Sequence, residues 1–435
     1  MRVLWVSNSA IGPAAAILER NYAGSSGGWV QTVYEEIQNE EHEMYFLCTD
    51  SIANKGQYVH KSGTIGELYC LPILKLSYGV RAPKKWQALI KKILEDIQPD
   101  VIHIWGTETL LSNEVAKISG DIPKVLFIQG LLGVHQRYLG GRFGGAENIK
   151  YVARANILAR VKKHIQNKLF KKQAFIEQDT ILRSKNVIID NVFSESYCKA
   201  IAPNIHCYYY LLRPNRLFSN YRWDLKNVER NSIFTIYGGN AEKGLQQLFK
   251  ALAIVKKTIP QVKLYVPGPF NIDQNGKLSP SKNDLFECAL GRIIADLHLE
   301  DNIVFLGKLN PKQMAERLSK THIFVNPSCM EVHSMGLREA LTVGVPSISS
   351  CCGSIPEYIQ HQKNGYLYRY EEYEQLAYFM HRLLTSEEHC LEFSKQGRTA
   401  LDNMRERLIM RQGVEFRQVN NIYQKISSKD YNDEY

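Results

Sequence analysis

Short apolar runs alternate with stretches of helical periodicity along this chain, and the alternation runs through twice. "RVLWVSN", "MYFLCT", "DVIHIW", "KVLFIQG" and "NVIID" have the length and composition of buried strands, whereas "WVQTVYEEIQN" and "WQALIKKILEDI" repeat their apolar residues at helical spacing. Such alternation makes a parallel sheet covered by helices. After "CYYYLLRPNRLF" and a polar stretch at 219–231 the pattern restarts with "IFTIYGG", "KLYVPG", "IVFLG", "HIFVNPS" and "SISS". The expectation is an α/β chain of two Rossmann-like, doubly wound domains facing each other across a cleft. They are expected at 1–212 and 213–400. A C-terminal helix within 401–435 should pack back on the first domain and end in a disordered tail "SSKDYNDEY". Length agrees, because 435 residues exceed what one core usually covers.

Composition removes several classes of function. The nine cysteines are scattered and form no pair or Cys/His cluster with zinc spacing, which suits reduced thiols in a cytoplasm. The apolar "VLWV" after Arg2 is too short for a signal segment, and no run of about 18 apolar residues exists to span a membrane. A net charge of +10 raises the question of nucleic acid, but residues 1–212 carry 25 Lys+Arg against 19 Asp+Glu and the remainder 29 against 25, so neither half is a basic domain. The excess is densest in "KYVARANILARVKKHIQNKLFKK", residues 150–172, where eight basic residues surround Ile157, Leu158, Val161, Ile165 and Leu169. This helix either turns its apolar side to the core or docks on an anionic membrane surface.

"EVHSMGLREALTVGVPSISSCCGSIPEYI", residues 331–359, holds two glutamates eight positions apart between glycine and proline punctuation. Glu331 falls just past the strand "HIFVNPS", and Ser334 is the expected N-cap of a helix running to about Val343. The free amides of Ser334, Met335 and Gly336 would form an anion site. A phosphate held there leaves Glu331 and Glu339 to accept hydrogen bonds from vicinal hydroxyls on either side of it. A second loop, "GNAEKGL" after "IFTIYG", offers Lys243 at a helix start, and "GSSGGW" (24–29) follows the first strand without the spacing of a dinucleotide fingerprint. Three glycine-bearing loops suggest a diphosphate ligand.

Taken together, "GGNAEKGLQQLFKAL", "NIVFLGKL", "IFVNPSCMEVHSMGLREALTVGVPSIS", "GSIPEYI" and "NGYLY" resemble the GT-B glycosyltransferases of family 4, the retaining group with an E-x7-E signature. The resemblance implies transfer of a sugar from a UDP- or GDP-sugar to a saccharide or lipid-linked acceptor, by a peripheral or cytoplasmic enzyme of bacterial polysaccharide or glycolipid synthesis. By matching positions, Glu331 should hold the donor sugar and Glu339 the ribose. Lys243 should neutralise the diphosphate with the Gly336 and Leu337 amides, and Gly28 should line the cleft from the other side. Three positions depart from the pattern. Gly239 stands where an arginine follows the first glycine of the lysine loop, Gln129 replaces the histidine of an "HG" motif, and His333 replaces an aromatic residue. Gln129 cannot take a proton, which agrees with a retaining route. His103, Glu108, His135 and Asp100 are the strand-end candidates for a base on the acceptor side. No metal is expected, because no carboxylate pair stands at a strand end to hold one. A sugar-nucleotide epimerase, a phosphorylase and a sugar-nucleotide-binding scaffold protein are the alternatives.

Overall fold

The computed structural model describes residues 1–20, 28–38, 40–54, 56–74, 81–141, 157–236 and 239–428. Two compact units emerge. The first comprises Met1–Gln136, Lys168–Arg213 and Gly413–Tyr435, and the second Arg137–Asn167 and Pro214–Gln412. Both are therefore discontinuous in sequence; 1–212 had been expected as one block, but the segment 137–167 groups with the later half of the chain. The last residues, 429–435, fall outside the described residues.

The first unit is built on eight strands: β1 (Arg2–Ser7), β2 (Glu43–Asp50), β3 (Val59–Gly63), β4 (Gly66–Pro72), β5 (Val101–Trp105), β6 (Lys124–Phe127), β7 (Asn186–Ile189) and β8 (His206–Tyr209). Their order in the sheet is β3-β4-β2-β1-β5-β6-β7-β8. Among the described residues, only the hairpin pair β3/β4 is antiparallel. Only Val59 is apolar in β3, because "VHKSG" is a largely exposed edge strand. Helix Val419–Ser427 completes this unit, with the Trp5 indole donating to the Tyr423 hydroxyl at 2.9 Å and the Val419 amide donating to Glu36 at 3.2 Å.

The second unit has an all-parallel sheet of six strands: β9 (Glu229–Thr235), β10 (Lys263–Pro267), β11 (Ile303–Gly307), β12 (Thr321–Asn326), β13 (Ser347–Ser350) and β14 (Tyr366–Tyr368). The order is β11-β10-β9-β12-β13-β14. Winding leaves β9 in one direction and β12 in the other, so the loops after these two neighbours open side by side at the switch point of the sheet, where ligands of doubly wound folds bind. In the first unit the equivalent point lies between β1 and β5.

Candidate functional site

Lys243 and Glu331 come from the loops after β9 and β12. The Lys243 ammonium donates to Glu331 Oε1 at 2.6 Å, and Glu331 is only 8% exposed. Burial opposes the charged lysine, but the adjacent carboxylate outweighs it and holds the Lys243 pKa above its ordinary value. Gly244 is what lets the two loops meet. Its φ is +77°, and a Cβ there would lie 1.9 Å from the carbonyl oxygen of Pro327. The Cys329 amide then donates to the Glu242 carbonyl at 2.9 Å. Behind Glu331, the "GSIPEYI" stretch makes the same kind of close approach: a Cβ at Gly353 would lie 1.8 Å from the Glu331 carbonyl oxygen, which accepts from the Ser354 amide at 3.1 Å.

Helix Met335–Val343 follows at once, with Ser334 at its N-cap. Ser334 does not cap it through its side chain. Its backbone is left-handed (φ 34°, ψ 59°), and its hydroxyl accepts from the Asn326 amide nitrogen at 3.1 Å. The first amides of the helix, at Met335, Gly336 and Leu337, thus have no capping side chain, which leaves their partial positive charge beside Glu331 and Lys243. Gly336 has no room for a side chain, since a Cβ would lie 1.7 Å from Ile236 Cδ1 at the end of β9. Arg338 is fully buried and donates to the Tyr358 hydroxyl, which ties this helix to the turn Ile355–Tyr358. His333 is buried as well.

Glu339 lies on the same helix, and burial raises its carboxyl pKa to about 8. The folded state therefore binds this proton more tightly than the unfolded chain does. The associated stability is complete below an unfolded pKa of about 4.3 and is lost as pH rises through about 8. Glu339→Gln keeps the neutral form at every pH. Thermal unfolding followed at pH 5 and pH 8.5 should show the variant gaining on the wild type by about 4 kcal/mol between the lower and the higher pH. Equal stability at both would mean that Glu339 is solvated.

The first unit's candidates separate. Glu108 and Gln129 stand at the ends of neighbouring strands β5 and β6 and converge over Gly106, where a Cβ would lie 3.1 Å from Glu108 Oε2 and 3.4 Å from Gln129 Oε1. The Gln129 Nε2 is buried with no hydrogen-bond partner, and burial raises the Glu108 pKa. Glu108 also borders a cavity of about 600 Å³ with Asn8, Ser9, Trp86 and the ion pair of Arg20 with Asp50.

His103 and Asp100 are corrections. His103 is fully buried in mid-strand β5, stacked on Trp105 and hydrogen-bonded to the Tyr423 hydroxyl, and burial holds its pKa down to about 3. The strand runs two residues further, so this histidine belongs to the core. Asp100 precedes β5 and accepts from the Arg2 amide, at the amino end of the sheet. His135 is half-buried at the end of the short helix Leu132–His135. Gly28 opens helix Gly28–Ile37, and most of the loop before it, 21–27, lies outside the described residues, as do Tyr237 and Gly238.

Two polar features escaped the sequence reading. Glu177 is fully buried and accepts from the Leu132 and Gly133 amides at 2.7 and 2.9 Å and from the Tyr197 hydroxyl at 2.8 Å, with burial pushing its pKa up to about 7. In the second unit, the segment ending at Gly141 is fastened to the lysine loop. The Gly140 amide donates to Glu242 Oε1 at 2.7 Å, while Gln246 and the Tyr370 hydroxyl donate to the Gly141 carbonyl at 3.2 and 2.7 Å. These partners are separated by 102, 105 and 229 positions, so no local pattern announces them.

The basic helix spans Ile157–Leu182, and 150–156 lie outside the described residues. Its core-facing reading fails for three of the named positions: Ile157, Val161 and Ile165 are 70%, 53% and 52% exposed and recur every four residues along one side. Lys162, Lys163, Gln166 and Asn167 occupy the opposite side and line a cavity with Gly239 and Asn240. No helix of the described residues is long and apolar enough to cross a membrane.

Residues 219–400 match the profile of the family described as Glycosyl transferases group 1. The chain is 39% identical over 80 residues to N-acetyl-alpha-D-glucosaminyl L-malate synthase of Bacillus anthracis, a stretch covering 18% of this chain and 20% of that protein. Sucrose-phosphate synthase (tll1590) from Thermosynechococcus elongatus superposes with a TM-score of 0.68 at 15% identity, over 98% of this chain and 99% of that one. Anabaena Alr3699/HepE, solved in complex with UDP, gives 0.62 at 13% identity, over 95% and 100%. Residues 219–400 are thus similar to the glycosyl transferases group 1 family, and the chain has the α/β fold of GT-B glycosyltransferases.

Proposed function

We propose that this chain is a retaining glycosyltransferase that moves a sugar from a nucleoside-diphosphate sugar to a saccharide or lipid-linked acceptor. The observation that carries this reading is the Lys243–Glu331 pair beside the uncapped start of helix Met335–Val343, at the switch point of the second sheet. Donor binding would exchange the lysine's partner. The diphosphate takes the Lys243 ammonium and the helix amides, and Glu331 is released to accept hydrogen bonds from the sugar hydroxyls, with Glu339 on the ribose. As the glycosidic bond breaks, charge grows on the departing diphosphate where these donors already point, so no metal is needed. The HepE neighbour, solved with UDP, makes UDP the first donor to try. In the first unit, the cavity beside Glu108 suits the acceptor.

An inverting transfer needs a side chain that accepts the acceptor's proton; the Gln129 amide cannot, which leaves the neighbouring Glu108 as the group that such a route would have to use. In a retaining transfer the departing diphosphate takes that proton on the same face of the sugar. NMR of the newly formed linkage should therefore show the donor's anomeric configuration, and Gln129→Ala should slow transfer by roughly tenfold while Gln129→His stays active. An inverted product would overturn the retaining mechanism. An isomerised donor formed without any acceptor would favour an epimerase, and nucleotide binding without turnover a scaffold protein.

The exposed apolar stripe on helix Ile157–Leu182 supports a membrane-surface role within this reading. By helical spacing Lys168 and Lys172 lie on the side of Val161 and Ile165, with Lys172 also lining the cavity beside Glu108, whereas Lys162 and Lys163 line the cavity beside Gly239. With about 1 kcal/mol per basic residue near an anionic surface, Lys168→Glu together with Lys172→Glu should weaken sedimentation with phosphatidylserine vesicles by more than about tenfold. Wild-type protein that ignores such vesicles would remove this role.

A further inference from the structure

The donor cluster of the second unit carries little positive charge of its own. Lys243 is neutralised by Glu331 at 2.6 Å, Glu339 adds a carboxyl group, and Gly239 contributes no side chain at all. A dianionic diphosphate that enlists Lys243 still leaves the Glu331 charge beside it. Helix amides offset only part of that charge, because their dipoles amount to roughly half an elementary charge.

Next to this loop is a cavity of about 420 Å³, lined by Gly239, Asn240 and Ala241 on one wall and by Lys162, Lys163 and Gln166 on another. All belong to the second unit. Neither lysine has an ion-pair partner among the described residues. The carboxylate in the lining, Asp284, accepts from the Phe286 and Glu287 amides at 2.9 and 3.0 Å and so is engaged as a helix cap. The helix that bears the lysines turns its apolar stripe the other way, which leaves them committed to the cavity side.

We propose that Lys162 and Lys163 bind the diphosphate of the nucleotide sugar, supplying from across this cavity the positive charge that the Gly239 loop lacks. The proposal rests on the donor reading given above. Two mobile ammonium groups act as point charges on phosphate oxygens, so their contribution is to the diphosphate and not to the nucleoside.

Calorimetric titration of the full chain with UDP, GDP, uridine and guanosine tests it, using wild type, Lys162→Gln/Lys163→Gln, Lys243→Ala and the outward control Lys168→Gln. The double variant should bind the nucleoside diphosphate about tenfold or more weakly than wild type with nucleoside affinity unchanged, and the loss should shrink in high salt. The control should match wild type. Wild-type diphosphate affinity in the double variant, with the diphosphate still bound by the wild type, overturns the proposal and leaves the donor site standing, whatever modest change Lys243→Ala shows. Equal loss for nucleoside and diphosphate overturns it too, as damage to the cavity at large. No binding of either diphosphate by the wild type overturns the donor reading itself.

Discussion

Lys243→Ala should lower kcat by roughly 10²–10³-fold while changing the apparent affinity for the donor much less. The reason lies in when the charge appears. On the proposed donor reading, the ground-state diphosphate would be shared among the helix amides and neighbouring cations, with Lys243 contributing modestly. In the transition state the leaving group would gain a further negative charge beside a fixed ammonium, which is then worth most. The variant also strands the Glu331 carboxylate, 8% exposed, without its 2.6 Å partner, so it should unfold at a lower temperature than the wild type. Lys243→Arg keeps a cation for Glu331 and should recover stability more fully than turnover, because its planar head does not reproduce a point charge. Unaltered kcat in Lys243→Ala would remove the lysine from the chemistry.

Gly244→Ala should destabilise the chain by about 2–4 kcal/mol and lower activity at least tenfold, although the residue touches no substrate. A methyl group placed 1.9 Å from the Pro327 carbonyl must push the lysine loop away from the loop that carries Glu331. The closest group is backbone, the Pro327 carbonyl, which cannot yield as the end of a flexible side chain would. Gly120→Ala is the control: Gly120 also has a positive φ, of +53°, but nothing lies within 4 Å of a Cβ there, so it isolates the conformational cost of about 1 kcal/mol from the steric one. Denaturant unfolding of the two variants, with turnover measured alongside, checks this. Similar losses in both would mean that close approach of the two loops is not what Gly244 provides.

Some of this was legible in the residues. The twofold alternation of apolar runs and helical stretches specified two doubly wound sheets, since buried parallel strands are apolar throughout and announce themselves without a partner. The bounds of helix Met335–Val343 were legible too, because glycine punctuation is local, although Ser334 does not cap it through its side chain. Edge strand β3 was not, because a largely exposed "VHKSG" has only Val59 as an apolar signal. His103 was misplaced for a related reason: a histidine in "DVIHIW" looks like a strand end, and only the packing of Trp5, Trp105, Phe127 and Tyr423 around it reveals a core position.

The sequence by itself determined the kinds of groups at the candidate site, a lysine and two carboxylates beside a helix start, because each sits in a motif whose geometry is settled within a few residues. Only the tertiary structure decided which of them meet. The strand order places β9 beside β12, and that neighbourhood, together with the missing side chain at Gly244, turns Lys243 and Glu331 into an ion pair across 88 positions. The same holds for segment 137–167, whose Gly140 and Gly141 are fastened to the lysine loop and whose Lys162 and Lys163 face Gly239. Such contacts depend on chain winding and on the absence of atoms, and neither leaves a periodic trace in the order of amino acids.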